Sequence, residues 1–71
     1  MKFNVTAVSI NRRTRRQNAP PRVELIDTDT NSLFKDARAP YDVEWRYEAF
    51  WNDLNKNSAE IVKVFDVEQV G

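Results

Sequence analysis

The chain has 71 residues, with 11 basic and 11 acidic residues and a formal net charge of zero. It contains no histidine and no cysteine, which excludes a disulfide framework, a thiolate metal site and the commonest catalytic base. Its single glycine is the last residue, so a glycine-rich phosphate-binding loop is excluded as well.

Residues 1–10 are rich in β-forming residues and predict a first strand. Their apolar side chains fall on both faces, which is typical of a central strand or of a strand with a bulge. Residues 11–21 predict a polar loop, because Pro20 and Pro21 cannot continue a strand ladder. Residues 22–28 predict a second strand, and if it pairs with the first, the loop is the tip of a long hairpin.

Residues 27–32 predict a turn, after which Leu33 and Phe34 are expected to fold back onto the core. A helix is predicted to begin after Asp42 as N-cap and to end near residues 55–58. A last strand is predicted over residues 60–70, and its apolar residues on both faces favour a central position. The helix is recognised by one apolar stripe at helical spacing, formed by Val43, Tyr47, Phe50 and Leu54.

The order β-β-α-β predicts an α+β fold in which one helix packs on one face of a three-stranded sheet. We expect a single domain over residues 1–71. No apolar run approaches the ~18–20 residues that span a bilayer, so we also expect a cytoplasmic protein with no membrane contact. The predicted core consists of Phe3, Val5, Val23, Leu25, Phe34, Val43, Tyr47, Phe50, Leu54, Ile61, Val64 and Phe65.

The arginine loop, residues 11–21, is the first candidate functional segment. Residues 1–23 carry six basic and no acidic residues, whereas residues 24–71 carry five basic and all eleven acidic residues, so the two parts have charges of +6 and −6. Arginine binds carboxylates and phosphates through its planar fork, and the alternative is a solvated loop that balances the acidic part. The predicted partner-binding arginines are Arg12, Arg13, Arg15, Arg16 and Arg22.

The outer helix face is the second candidate. Trp45 falls nearly opposite the apolar stripe on a helical wheel, and tryptophan is enriched among residues that dominate binding energy at interfaces. Glu48 and Asn52 are predicted to be its neighbours in a partner-binding patch. The alternatives are that the helix is covered on both faces, or that Trp45 folds onto Pro40 or a loop.

A calcium-binding loop is suggested by Asp27, Asp29 and Asn31 but is not completed. The sixth position is Ser32 instead of glycine, and the twelfth is Arg38 instead of glutamate. We therefore expect an Asx-rich turn here, with no metal, no cofactor and no catalytic residues in the chain.

Four short segments together resemble the small core linker domain of phycobilisomes, the CpcD-type or allophycocyanin linker. They are Phe3–Ala7 at the first strand, Arg13–Arg15 in the loop, Pro40–Asp42 before a helix with an early tryptophan, and Ile61–Val64 in the last strand. The resemblance implies a chromophore-free protein that inserts into a ring of pigment proteins, with the arginine loop and the helix as contact surfaces.

These observations predict a non-enzymatic protein–protein interaction module that binds its partner through the arginine loop and the exposed helix face. A small inhibitor or adaptor of the kind that bacteriophages encode is an alternative within this class. A nucleic-acid-binding domain acting through residues 12–16 is an alternative from another class, disfavoured because the rest of the chain is acidic and no aromatic residue lies among the arginines. A homo-oligomer is a further alternative.

Overall fold

The computed structural model describes all residues from 1 to 71. It confirms the predicted α+β fold, with one helix packed on one face of a three-stranded antiparallel sheet of strand order β2-β1-β3. The β1–β2 hairpin, with the arginine loop at its tip, is confirmed as well. The elements are β1 (Lys2–Asn11), β2 (Arg22–Asp27), a 3-10 helix (Ser32–Phe34), α1 (Pro40–Leu54) and β3 (Glu60–Gln69).

Strand β1 is central, which confirms one of the two interpretations of its two-sided apolar pattern. The predicted central position of β3 is wrong, because β3 pairs only with β1 and lies at an edge of the sheet. Its apolar residues fall on both parities for a different reason, which is a bulge.

The bulge in β3 lies opposite Thr6 and Ala7, where the pairing register shifts by one residue and leaves Phe65 without a partner. The extra residue places Val64 and Val67, three positions apart, on the same core-facing side. The Phe65 side chain is left 65% exposed. Its predicted place in the core is therefore wrong.

The core lies between α1 and the sheet, and burial of its apolar side chains is the main stabilising contribution to the fold. The 3-10 segment closes this core at one end, with Phe34 buried against Tyr47 at 6.5 Å between ring centroids. The buried cluster consists of Phe3, Val5, Ala7, Ile26, Phe34, Ala37, Val43, Tyr47 and Val64, with Trp51, Val62 and Val67 packed against it.

Strand β2 shows the opposite side-chain orientation to the predicted one. Val23 and Leu25 are 65% and 57% exposed, whereas Ile26 is buried. Glu24 lies on the helix side, where its carboxylate accepts a hydrogen bond from the Tyr47 hydroxyl at 3.1 Å. This polar contact takes the place that an apolar side chain was expected to fill.

Helix α1 begins three residues earlier than predicted. Ala39 is the N-cap in extended conformation and Pro40 occupies the first turn, where its missing N–H removes no helical hydrogen bond. Asp42 is not the cap but lies in the first turn, near the positive end of the helix dipole. The predicted end is confirmed, although Leu54, the last helical residue, is exposed.

Candidate functional site

The arginine loop is held by hydrogen bonds around Asn11. The Asn11 side-chain oxygen accepts from the backbone N–H of Arg13 at 2.9 Å and of Thr14 at 3.1 Å. Its backbone C=O accepts from Arg15 N–H at 2.8 Å, and its N–H donates to Arg16 C=O at 2.8 Å. Arg15 has a φ of +62°, a left-handed conformation that closes the turn without a glycine. The backbone of the loop is thus ordered by its own contacts.

The base of the loop is attached to two strands. Asn18 bonds Ser9 twice, with its N–H to the backbone C=O at 2.8 Å and with its side-chain amide to the hydroxyl at 3.1 Å. On the other side, Arg12 N–H donates to Ala59 C=O, just before β3, at 2.7 Å. These contacts orient the loop relative to the sheet.

The loop arginines have no acidic partner within the chain. The ion pairs in the structure join the Met1 amino group to Asp29 at 3.3 Å and Lys56 to Asp53 at 3.9 Å. No guanidinium of the loop is in an ion pair, and all four side chains, Arg12, Arg13, Arg15 and Arg16, are exposed. The acidic part of the chain therefore does not neutralise these arginines by direct contact.

A groove of about 430 Å³ lies beside the loop, between α1 and the helix-facing side of the sheet. We call it the Trp51 groove. The guanidinium carbon of Arg22 lies 5.2 Å from the centroid of the Trp51 ring, within the range of a cation–π interaction. Polar groups of Asn18, Asn55 and Glu60 contribute to the walls. The groove therefore combines a flat apolar surface with a positive charge and hydrogen-bonding groups.

Tyr47 also lines this groove, and its hydroxyl donates a hydrogen bond to the Glu24 carboxylate. Burial is the main cause that raises the pKa of Tyr47 above its usual value, and the Glu24 carboxylate contributes in the same direction. The Arg22 guanidinium acts in the opposite direction but does not reverse the shift. Tyr47 raises the pKa of Arg22 in turn, so at neutral pH the groove contains a neutral phenol and a charged guanidinium.

The raised pKa of Tyr47 predicts a loss of stability at high pH. In the unfolded chain tyrosine ionises at about pH 10, whereas the folded state keeps the proton to higher pH. Stability from this group is therefore fully present below pH 10 and decreases as the pH rises towards the folded pKa. In urea unfolding at pH 8 to about pH 11, Tyr47→Phe should lose less stability than the wild type. Tyr41→Phe, at an exposed residue, is the control, and equal slopes for all three proteins would contradict the prediction.

The helix residues predicted to form one patch are divided between two surroundings. Trp45 is 55% exposed, and the guanidinium of Arg46 lies 5.7 Å from its ring centroid. Asn52 is half-buried and bonds Val62 of β3, accepting from its N–H at 2.8 Å and donating to its C=O at 3.3 Å. Asn52 is therefore engaged within the fold, whereas Trp45 on the same helix is exposed.

Glu48 has a similar structural role. Its carboxylate accepts a hydrogen bond from Val64 N–H at 2.8 Å, so it too covers the outer edge of β3. Trp45 does not line the Trp51 groove. The structure thus brings Arg22 and residues 18–20 of the arginine loop together around the groove, whereas the four loop arginines and Trp45 do not line it.

Sequence reasoning did not identify the Trp51 groove. Its residues come from four separate segments, and only their tertiary arrangement makes them neighbours. The one available signal was the position of Trp51 at the border of the apolar stripe, where one side of the indole remains free.

Comparison of the chain with models of protein families, with curated proteins and with solved structures found no match. No group of three or more acidic side chains converges in a way that could hold a metal ion. No helix is both long enough and apolar enough to cross a membrane.

Proposed function

We propose that this chain is a non-enzymatic protein-binding module whose contact surface is the arginine loop together with the Trp51 groove. The observation that carries the proposal is the presence of four exposed arginines, unpaired within the chain, on a loop whose backbone is already ordered. An ordered loop loses little conformational entropy on binding, so its charges are available for a partner. The absence of histidine and cysteine supports binding over catalysis.

The partner is a protein with an acidic surface. Bidentate contacts with carboxylates use the planar shape of the guanidinium, and the groove can accept one apolar or aromatic side chain against Trp51. A nucleic acid fits less well, because residues 24–71 carry a net charge of −6 and would repel phosphates beyond the immediate contact. The pigment-protein ring implied by the phycobilisome linker resemblance is one partner of this kind.

The decisive experiment neutralises the loop. The variant R12Q/R13Q/R15Q/R16Q should weaken partner binding by at least about tenfold, since each lost charge pair contributes a fraction of a kcal/mol to about 1 kcal/mol. The control R38Q/K2Q/K35Q/K63Q changes the net charge by the same amount at exposed positions outside the loop. Proteins captured from the source cells by the wild type and the control, but not by the loop variant, are the expected result.

Equal capture by the loop variant and the control would reject the proposed surface. Visible absorbance of the captured material would assign the partner to the pigment proteins. Random-sequence duplex DNA is the probe for the alternative function, because affinity based on phosphate contacts decreases steeply with salt. A steep salt dependence that the loop variant abolishes would assign the arginine loop to nucleic acid.

A further inference from the structure

The two edges of the sheet differ in how their backbone groups are satisfied. At β3, the outward N–H and C=O of Val62 and the outward N–H of Val64 are bonded by the Asn52 and Glu48 side chains of α1. Open strand edges pair readily with other chains, and proteins commonly block them with side chains or covering elements. These contacts block the first half of the β3 edge, while the outward backbone groups of residues 67 and 69 have no side-chain or loop partner.

The β2 edge is open. Lys2 N–H donates to Gly71 C=O, and Lys2 C=O accepts from Val70 N–H, so even-numbered residues of β1 direct their backbone groups towards the β3 side. Because successive residues of a strand direct their backbone N–H and C=O groups to opposite sides, the odd-numbered residues of β1 direct theirs towards β2. Val23 and Leu25 are paired with even-numbered residues of β1, so their N–H and C=O groups point away from the sheet.

Nothing in the chain occupies this edge. No side chain or loop hydrogen-bonds to the backbone of Val23 or Leu25, and both side chains are more than half exposed. Helix α1 packs mainly against β3 and contacts β2 from one face of the sheet, through Tyr47 with Glu24 and Trp51 with Arg22, so it leaves the outer edge of β2 uncovered. The connection after β2 covers only its far end, where Phe34 and Ala37 pack with Ile26. A further strand therefore has room beside residues 21–25.

We propose that a second copy of this chain pairs with this edge, antiparallel and about a two-fold axis at Val23. In this register Val23 lies opposite Val23 of the second copy and Leu25 lies opposite Pro21, whose C=O can accept. Arg22 lies opposite Glu24 of the second copy, and Glu24 opposite its Arg22. Opposite charges at directly facing positions stabilise a strand pair, and Arg22 has no ion pair in the single chain.

Charge complementarity selects both the occupant and the register. A shift by two residues would place Glu24 against Glu24 of the second copy and lose both ion pairs. In the proposed register each copy supplies one positive and one negative side chain, so the two-fold symmetry forms both ion pairs. The pairing uses none of the loop arginines but shares Arg22 with the Trp51 groove, so the loop variant R12Q/R13Q/R15Q/R16Q tests the partner-binding surface without changing the proposed strand contact.

A charge-swap experiment tests the pairing. The wild type should show a concentration-dependent increase in mass from 8.3 kDa towards twice that value in sedimentation equilibrium, with a Kd between about 10 µM and about 1 mM, as for a small contact. Arg22→Glu and Glu24→Arg should each weaken the dimer by about tenfold or more. An equimolar mixture of the two variants should restore it, because every facing pair then has opposite charges.

A backbone variant tests the same edge without a change of charge. Val23→Pro removes an outward N–H that has no partner in the single chain, and proline is tolerated on strand edges, so the variant should fold but remain monomeric. Val23→Thr keeps the N–H and is the control that should still dimerise. Amide exchange at Val23 and Leu25 in the wild type should slow as the protein concentration rises.

A wild type that remains monomeric at millimolar concentration, with unprotected amides at Val23 and Leu25, overturns the proposal. A dimer that Val23→Pro leaves intact overturns it as well, because the contact must then use another surface. Failure of the mixed charge variants to associate, while the wild type does, rejects the register.

Discussion

Replacement of Phe3 by alanine should cost about 3–5 kcal/mol of unfolding free energy, whereas the same replacement at Phe65 should cost less than about 1 kcal/mol. Phe3 is fully buried in the core between β1 and α1, while Phe65 is 65% exposed at the bulge of β3. Domains of this size have a total stability of only about 4–10 kcal/mol. Phe3→Ala should therefore leave a marginally stable protein.

Urea unfolding followed by tryptophan fluorescence measures both variants, since Trp51 packs against the core. The Phe65 variant is the matched control, because it removes the same side chain from another strand of the same sheet. Similar losses at the two positions would show that Phe65 is packed in solution, and the bulge would then be misplaced.

Replacement of Asn52 by alanine should cost about 2–3 kcal/mol, the second largest expected effect. The Asn52 amide makes two hydrogen bonds with Val62, and its loss leaves a partly buried N–H and C=O without their partner. Each backbone group left unsatisfied costs about 1–3 kcal/mol when water cannot replace the partner fully. Asn52→Asp should recover only part of the loss, because a carboxylate can accept from the N–H but cannot donate to the C=O.

Glu48 and Glu44 provide a matched pair for the same edge. Glu48→Ala removes the acceptor of Val64 N–H and should cost about 1–2 kcal/mol, while Glu44→Ala, one turn earlier at an exposed position of the same helix, should change stability by less than about 0.5 kcal/mol. Urea unfolding of both variants, with amide exchange at Val64, measures the effect. Unchanged exchange at Val64 in Glu48→Ala would mean that the hydrogen bond is not formed in solution.

The elements of this fold could be predicted because each has a strong local pattern. The apolar stripe of Val43, Tyr47, Phe50 and Leu54 predicts the helix, and runs of β-branched residues predict the strands. The strand boundaries differ from the predicted ones by one residue, and the start of the helix differs by three. The helix begins at Pro40 and not after Asp42, because two helix-start signals compete here. A proline suits the first helical position, and an aspartate two positions later suits an N-cap.

The orientation of β2 could not be predicted, because its apolar residues lie on both parities. Val23 and Leu25 lie on one face of β2 and Ile26 lies on the other. The face with two apolar residues was therefore predicted to point towards the core. The folded chain turns Glu24 inward instead, where the Tyr47 hydroxyl compensates its burial. Such a polar contact between distant segments leaves no periodic signal.

Only the part of the candidate site that depends on local sequence could be predicted. Exposure of the arginine loop follows from its local composition, and the structure shows those side chains exposed. The Trp51 groove and the edge contacts of Glu48 and Asn52 depend on how α1 lies against β3. A helical wheel places residues around one axis and contains no information about the neighbouring strand.

Helix α1 has a consequence for the size of any assembly that this sheet forms. Asn52 and Glu48 cover the β3 edge at Val62 and Val64, so once two copies have paired at β2, a further chain can reach only the short stretch at residues 67–69 on the outside. A copy whose helix had detached would expose both sides of its sheet and could continue to add chains, as in a growing fibril. One amide and one carboxylate thus shorten the edge at which a discrete dimer could grow into an open-ended polymer.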